Sequence, residues 1–272
     1  NALFATDTVC IGNSNSFVNN TTITKGAVTN YNWSFGDGFS SSSLSPTHTY
    51  SKAGFYSVVL ITESDSGCFD SVSLVSGVNP RPHMAFNVAN VCLGDKMTPS
   101  NSTTISSGTI STWNWNFGDG NTATTSNVSH VYSLPGTYNV ELIITENTGC
   151  KDTLVQTVNV NPNPTTSFTA NQVCERTATD FINTSTGAST YQWSFESANQ
   201  STVTNPSYVF SSNGVFNVQL LGTSTFGCVN SITLPITVDL SPVADFNFTD
   251  TCAQSISIFN NISVDTISVF NY

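Results

Sequence analysis

Tyr31-Asn32-Trp33-Ser34-Phe35-Gly36-Asp37-Gly38 is the stretch whose reading decides the fold. It returns as Trp113-Asn114-Trp115-Asn116-Phe117-Gly118-Asp119-Gly120 and, in altered form, as Tyr191-Gln192-Trp193-Ser194-Phe195-Glu196-Ser197-Ala198. Aromatic side chains at every second position put one face of a β-strand into a core, because side chains alternate across a strand. The Gly-Asp-Gly that follows is turn chemistry, combining glycines that accept positive φ with a carboxylate able to bond nearby backbone N–H groups. Alternation therefore predicts Trp33, Trp115 and Trp193 as core residues with their indoles between two sheets.

Outward from this strand, three markers keep one register. The tryptophans step by 82 and 78 residues; Cys10, Cys92, Cys174 and Cys252 step by 82, 82 and 78; Cys68, Cys150 and Cys228 step by 82 and 78. Phe4, Phe86, Phe168 and Phe246 each stand six residues before their cysteine. The chain reads as modules at 1–79, 80–161 and 162–240, with the truncated start of a fourth at 241–272. In that fourth unit the aromatic strand is missing, so a sandwich cannot close. Within a module, alternating runs such as Tyr56, Val58, Leu60 are separated by Gly-containing turns, and no apolar pattern of period 3.6 lasts ten residues. About seven short strands in eighty residues is a β-sandwich count. The seams Val78-Asn79-Pro80-Arg81-Pro82, Val160-Asn161-Pro162-Asn163-Pro164 and Val238-Asp239-Leu240-Ser241-Pro242 are short and stiffened by proline, which predicts a semi-rigid, elongated rod.

Composition removes several function classes. Six Lys and Arg against 17 Asp and Glu give a net charge of -11, the wrong sign for a nucleic-acid surface. No run of 18 apolar residues exists, so no membrane insertion is expected, and the chain, which starts at Asn1 without Met, is read as carrying no signal segment, whatever came before having been removed. Seven cysteines at regular spacing suit an oxidising, extracellular setting, either cell surface or secreted.

The strand, together with His48-Thr49-Tyr50 and Gly54-Phe55-Tyr56-Ser57-Val58-Val59-Leu60, resembles the polycystic-kidney-disease (PKD) type of immunoglobulin-like domain. The second module matches at Trp115 to Gly120, His130 to Tyr132 and Gly136 to Leu142. The third keeps Trp193, Phe195, Tyr208 and Gly214 but has Glu196-Ser197-Ala198 for Gly-Asp-Gly. The resemblance implies an all-β chain of tandem immunoglobulin-like β-sandwiches. The paired cysteines are similar to the variety in secreted adhesins of gliding Bacteroidetes exported by the type 9 secretion system. Other family members are accessory domains on secreted proteases, chitinases and collagenases.

Cys10, Cys68, Cys92, Cys150, Cys174 and Cys228 are expected to form structural disulfides, with two pairings open. Within modules the bonds are Cys10–Cys68, Cys92–Cys150 and Cys174–Cys228, leaving Cys252 for a partner beyond Tyr272. Across joints they are Cys68–Cys92, Cys150–Cys174 and Cys228–Cys252. The length of the last strand, roughly 30 Å, separates Cys150 from the next module, whereas disulfide Cα atoms lie within about 7 Å. That favours the pairing within modules, each bond closing a loop for about 4 kcal/mol. Zinc is not expected, because repeated histidine partners are missing.

Asp37 and Asp119 are expected to accept backbone N–H bonds in their turns. They are also the weak calcium candidates, with Glu63, Asp65, Glu146 and Asp239 near the turns and joints to complete a site, since calcium needs six to eight oxygens; otherwise no cofactor is expected. His48 and His130 are read as structural imidazoles bonding backbone groups, and His83 as a joint residue. For a sugar platform only Phe39 and Phe226 offer loop aromatics. Asp7-Thr8-Val9, Asp70-Ser71-Val72, Asp152-Thr153-Leu154 and Asp265-Thr266-Ile267 resemble a short O-glycosylation signal of the same bacteria. The expected function is a non-catalytic spacer or adhesive segment of a large surface protein, with an unknown glycan or protein ligand and possible self-association into an assembly. The alternative is an accessory binding module of a secreted hydrolase. Either way the chain is not expected to be an enzyme.

Overall fold

The computed structural model describes residues 1–196, 199–249 and 256–264. Every regular element among them is a strand. In the first module these are β1 (Phe4–Thr6), β2 (Thr8–Cys10), β3 (Asn15–Asn19), β4 (Val28–Ser34), β5 (Ser40–Ser41), β6 (Thr47–His48), β7 (Gly54–Ser64) and β8 (Phe69–Asn79). One layer has the order β1-β3-β6 and the other β2-β8-β7-β4-β5. The pairings are antiparallel except for β2, which runs parallel to the end of β8 with Thr8, Val9 and Cys10 opposite Gly77, Val78 and Asn79.

Alternation sets the core. On β4 only Trp33 is fully buried, with Tyr31 packed at the edge; on β7 Val58 and Leu60 are fully buried between more exposed neighbours. Phe4 and Phe17 come from the opposite layer, with Phe4 edge-on to the indole at 5.0 Å. The indole is not left unsatisfied, because Trp33 Nε1 donates to Ser43 O at 2.9 Å. Trp115 and Trp193 repeat this bond to Thr125 O and Val203 O, both at 3.0 Å. All three indoles are at most 1% exposed, as the sequence requires.

The other modules repeat the five-stranded layer. In the second its hairpin is Gly136–Glu146 and Lys151–Asn161 and its tryptophan strand Ile110–Asn116; in the third they are Gly214–Thr223, Val229–Asp239 and Thr190–Glu196. Further along, Phe246–Phe248 pairs with Phe259–Asn261. Phe246, in the register of buried Phe4, is 59% exposed there. Contacts divide the chain into two compact units: Asn1–Val91 with Asp95–Tyr132 and Gly136–Asn159, and Val160–Tyr272 with Cys92–Gly94 and Ser133–Pro135.

Candidate functional site

Two constructions recur from module to module, a fastened turn and a joint. The turn begins where β4 ends. Gly36 has φ +81°, and a Cβ built on it would meet Ser57 O at 2.6 Å; Gly118 is the same, with Asn139 O at 2.7 Å. Only glycine lets the chain turn there against β7. The turn then carries Asp37 over the core, where Oδ1 accepts from Phe39 N at 3.2 Å and Oδ2 meets His48 Nε2 at 2.7 Å. His48 lies flat on Phe35 at 4.4 Å and edge-on to Tyr50, whose hydroxyl donates to Phe35 O. The second module is a copy: Asp119 accepts from Asn121 N at 3.0 Å and meets His130 Nε2 at 2.6 Å, with His130 stacked on Phe117. The expected backbone partner for these imidazoles is therefore corrected. Their ring nitrogens face carboxylates, because stacking on the phenylalanine aims the ring edge at the turn.

The third module does the same work with other residues. Its tryptophan strand continues to Glu196, which stands where Gly36 stands in the first module. Tyr208 replaces the histidine, stacks on Phe195 at 4.5 Å and donates its hydroxyl to Glu196 Oε2 at 3.1 Å. Its altered partners Ser197 and Ala198 lie outside the described residues.

The electrostatics follow from these contacts. Burial pushes the Asp37 carboxyl up, but the His48 and Phe39 hydrogen bonds outweigh it and hold the group below the usual aspartate range. Burial likewise raises Asp119, and its bonds to His130 and Asn121 bring it below that range. Burial, then the nearby aspartate, pushes the Tyr132 phenol up to about 12 and Tyr50 further in the same direction. Both oxygens of Asp37 and of Asp119 thus face nitrogen atoms, Phe39 N and His48 Nε2 in the first module and those of Asn121 and His130 in the second. Among the described residues no group of three or more His, Cys, Asp or Glu side chains is placed to hold a metal ion.

The joint corrects the expected disulfides. Cys10 bonds Cys150 and Cys92 bonds Cys228, each with Cα atoms 5.6 Å apart, while Cys68 and Cys174 are free thiols. The pairing Cys10–Cys68 fails because the parallel contact of β2 places Cys10 beside Asn79, at the trailing end of the module. Cys68 precedes β8 at the leading end, and the 11 residues of β8 hold the two roughly 35 Å apart. The turn carrying the second cysteine of the next module meets the first cysteine instead. Cys252, the remaining cysteine, lies outside the described residues.

Side chains reinforce the joint. Arg81 Nε donates to Ile11 O at 2.9 Å, Nη2 to Asn13 Oδ1 at 3.2 Å and Nη1 to Lys151 O at 3.3 Å, so one guanidinium ties both modules of the first unit. Asn163 and Ser241, at the same place in their seams, donate to Leu93 O and Glu175 O. Glu146 is buried beside Cys150 and accepts from Cys150 N at 3.0 Å, Thr148 N at 2.8 Å and the Thr148 hydroxyl. Burial raises its carboxyl, and the Thr148 and Cys150 donors lower it by more, leaving it below the ordinary glutamate range. Ser64 and Ser224 fill its place elsewhere, accepting from Cys68 N and Cys228 N at 3.1 Å.

Of the remaining expected residues, Phe39 and Phe226 are exposed at 66% each. Thr8, Ser71 and Thr153 of the sugar-acceptor patterns are exposed, while Asp265-Thr266-Ile267 lies outside the described residues. Arg81 and the role of Glu146 were not read from the sequence, since each depends on a neighbour about seventy residues away or on burial.

A family model described as the PKD domain matches residues 2–76, 77–162 and 159–238. The chain belongs to the PKD-domain family. Collagenase ColA of Bacillus cereus is 44% identical over 69 residues, covering 25% of this chain and 7% of that protein. Pre-pro-metalloprotease PrtV of Vibrio cholerae is 29% identical over 132 residues, covering 47% of this chain and 14% of that protein. The chain thus matches only a small part of these curated relatives. Among solved structures, the PKD1 domain of PrtV shares 30% identity, covers 30% of this chain and 98% of that one, and has a TM-score of 0.27. The PKD1 domain of Vibrio anguillarum Epp shares 25% identity over 31% of this chain and 98% of that one, with a TM-score of 0.29. In this chain the tryptophan, the turn and its fastening build each domain, and the bridged cysteines link one domain to the next.

Proposed function

We infer that this chain is a non-catalytic spacer segment of an extracellular surface protein, in which tandem PKD domains hold a binding element at a distance. The observation that carries the reading is the Cys10–Cys150 bridge at the joint, reinforced by the three bonds of Arg81. A staple between domains has no use in folding one domain and every use in fixing the angle between two. The turn residues support the same reading. An Asp–His pair that a Glu–Tyr pair replaces one repeat later is a fastening, since a phenol cannot stand in for an imidazole base near neutral pH. The cysteine pattern favours an adhesin of the type 9 secreted kind, with a glycan or protein at the target surface.

Small-angle scattering of the oxidised chain and of a Cys10→Ser/Cys150→Ser variant tests this reading. The variant is expected to bend more freely, broadening its distance distribution while the far-ultraviolet dichroism stays constant. Identical scattering from the two overturns the spacer. The names of the relatives support a second reading, an accessory domain of a secreted protease. Finding a protease domain in the same polypeptide decides for that reading.

A further inference from the structure

Both bridges follow one rule: the first cysteine of a domain bonds the second cysteine of the domain after it, at separations of 140 and 136 residues. Cys68 is a second cysteine and it is free and exposed. We propose that the leading end of the first domain, around Cys68, is a covalent docking surface for the trailing end of another PKD domain, whose first cysteine bonds Cys68.

The turn that presents Cys68 is the turn that presents the two bridged cysteines. Ser64 N donates to Cys68 O at 2.9 Å and Gly67 N to Ser64 O at 2.9 Å. The second domain has the same bonds from Glu146 N to Cys150 O and Gly149 N to Glu146 O, both at 3.0 Å; the third has Ser224 N to Cys228 O at 2.8 Å and Gly227 N to Ser224 O at 3.0 Å. The sulfur is thus held in the same local frame. What differs is cover. Cys150 and Cys228, each with a bonded partner, are 1% exposed, whereas Cys68 faces solvent.

A shallow cavity lined by Thr22, Ile23, Val28, Cys68, Phe69 and Asp70 opens at this end, with Phe69 69% and Ile23 41% exposed. Phe69 stands in the register of Lys151, whose carbonyl takes Arg81 from the seam at the established joint. The occupant is fixed by continuity with that joint: a trailing end bearing a first cysteine on a short strand parallel to the last one, as Cys10 lies beside Asn79. Cys174 is such an end, a free first cysteine parallel-paired to Asp239.

Forming the bond removes two electrons and two protons from two thiols. A disulfide reagent takes them by exchange through a mixed disulfide and leaves as two thiols. Glutathione disulfide serves in the test. A copy of residues 83–164 placed directly before Asn1 keeps the 82-residue register, and the extended chain is oxidised, alkylated and mapped by peptide mass spectrometry. The expected result is a bond between Cys68 and the added copy of Cys92, with Cys10–Cys150 and Cys92–Cys228 retained and Cys68 protected from alkylation. The same bond, to the added copy of Cys10, is expected when residues 1–82 are the added copy. In a Cys68→Ser version the added first cysteine is expected to alkylate fully while the other two bridges persist. Cys68 alkylating fully beside two intact native bridges, or bonding a cysteine that is not the first cysteine of a PKD domain, overturns the proposal.

Discussion

The first two domains fasten their turn with a carboxylate and an imidazole, and the third uses a carboxylate and a phenol. In each case a flat ring lies on the phenylalanine two residues after the core tryptophan and its polar edge meets an acid. The acid comes from different places. Asp37 and Asp119 reach back from a glycine-shaped turn, whereas Glu196 ends a strand that runs two residues further and needs no positive φ. Position and ring packing are kept while the ionising group changes, as a fastening of the loop requires.

The hardest test strikes what the three share. Trp33→Ala, Trp115→Ala and Trp193→Ala are each expected to cost about 3–5 kcal/mol, read as loss of one domain's melting transition by calorimetry. A third domain that tolerates the change better than the first two breaks the likeness of their cores. Next, Gly36→Ala puts a methyl against Ser57 O in a left-handed backbone and is expected to cost about 2 kcal/mol or more. The third domain already carries a side chain at that place. Asp119→Ala strands the part-buried His130 and is expected to cost about 1–3 kcal/mol by denaturant unfolding. Glu196→Gln keeps an acceptor for Tyr208 and is expected to cost less than about 1 kcal/mol. Equal losses at Asp119 and Glu196 contradict the different fastenings.

Acid gives a gentler comparison. The folded carboxyls of Asp37 and Asp119 lie below their ordinary value, so near that value the folded chain binds fewer protons than the unfolded one. Their contribution is complete above the ordinary aspartate range and is lost as pH falls through the lowered folded values. The melting temperatures of the first two domains are expected to fall over that window. Asp37→Asn with Asp119→Asn is expected to flatten the slope, leaving the third domain's profile unchanged.

Much of this fold was legible because alternation is local. Trp33, Phe35, Val58 and Leu60 are in the core for the reason visible in their spacing, and the 82-residue step repeats the result. The Asp–His contact joins residues 11 apart across a loop, and no periodicity reports it. Its trace in the sequence is that the Gly-Asp pair and the histidine change together in the third domain. The disulfides were misread because their pairing depends on which end of a sandwich each cysteine occupies. That is decided by the parallel contact of Cys10 with Asn79, formed between segments nearly seventy residues apart. Glu146 gave no signal, since its neighbours in other domains are serines that do the same capping as neutral acceptors.

The two sulfur bridges overlap along the chain, Cys92 lying inside the Cys10–Cys150 loop and Cys150 inside the Cys92–Cys228 loop. Tension applied between Cys10 and Cys228 therefore travels from one bond to the other along only the residues between Cys92 and Cys150. Were every sheet torn open, roughly 60 residues would stretch to about 200 Å, where an uncrosslinked span of roughly 220 residues would reach about 750 Å. Opening every sheet therefore leaves the two bonded ends within about a quarter of the reach of the uncrosslinked span.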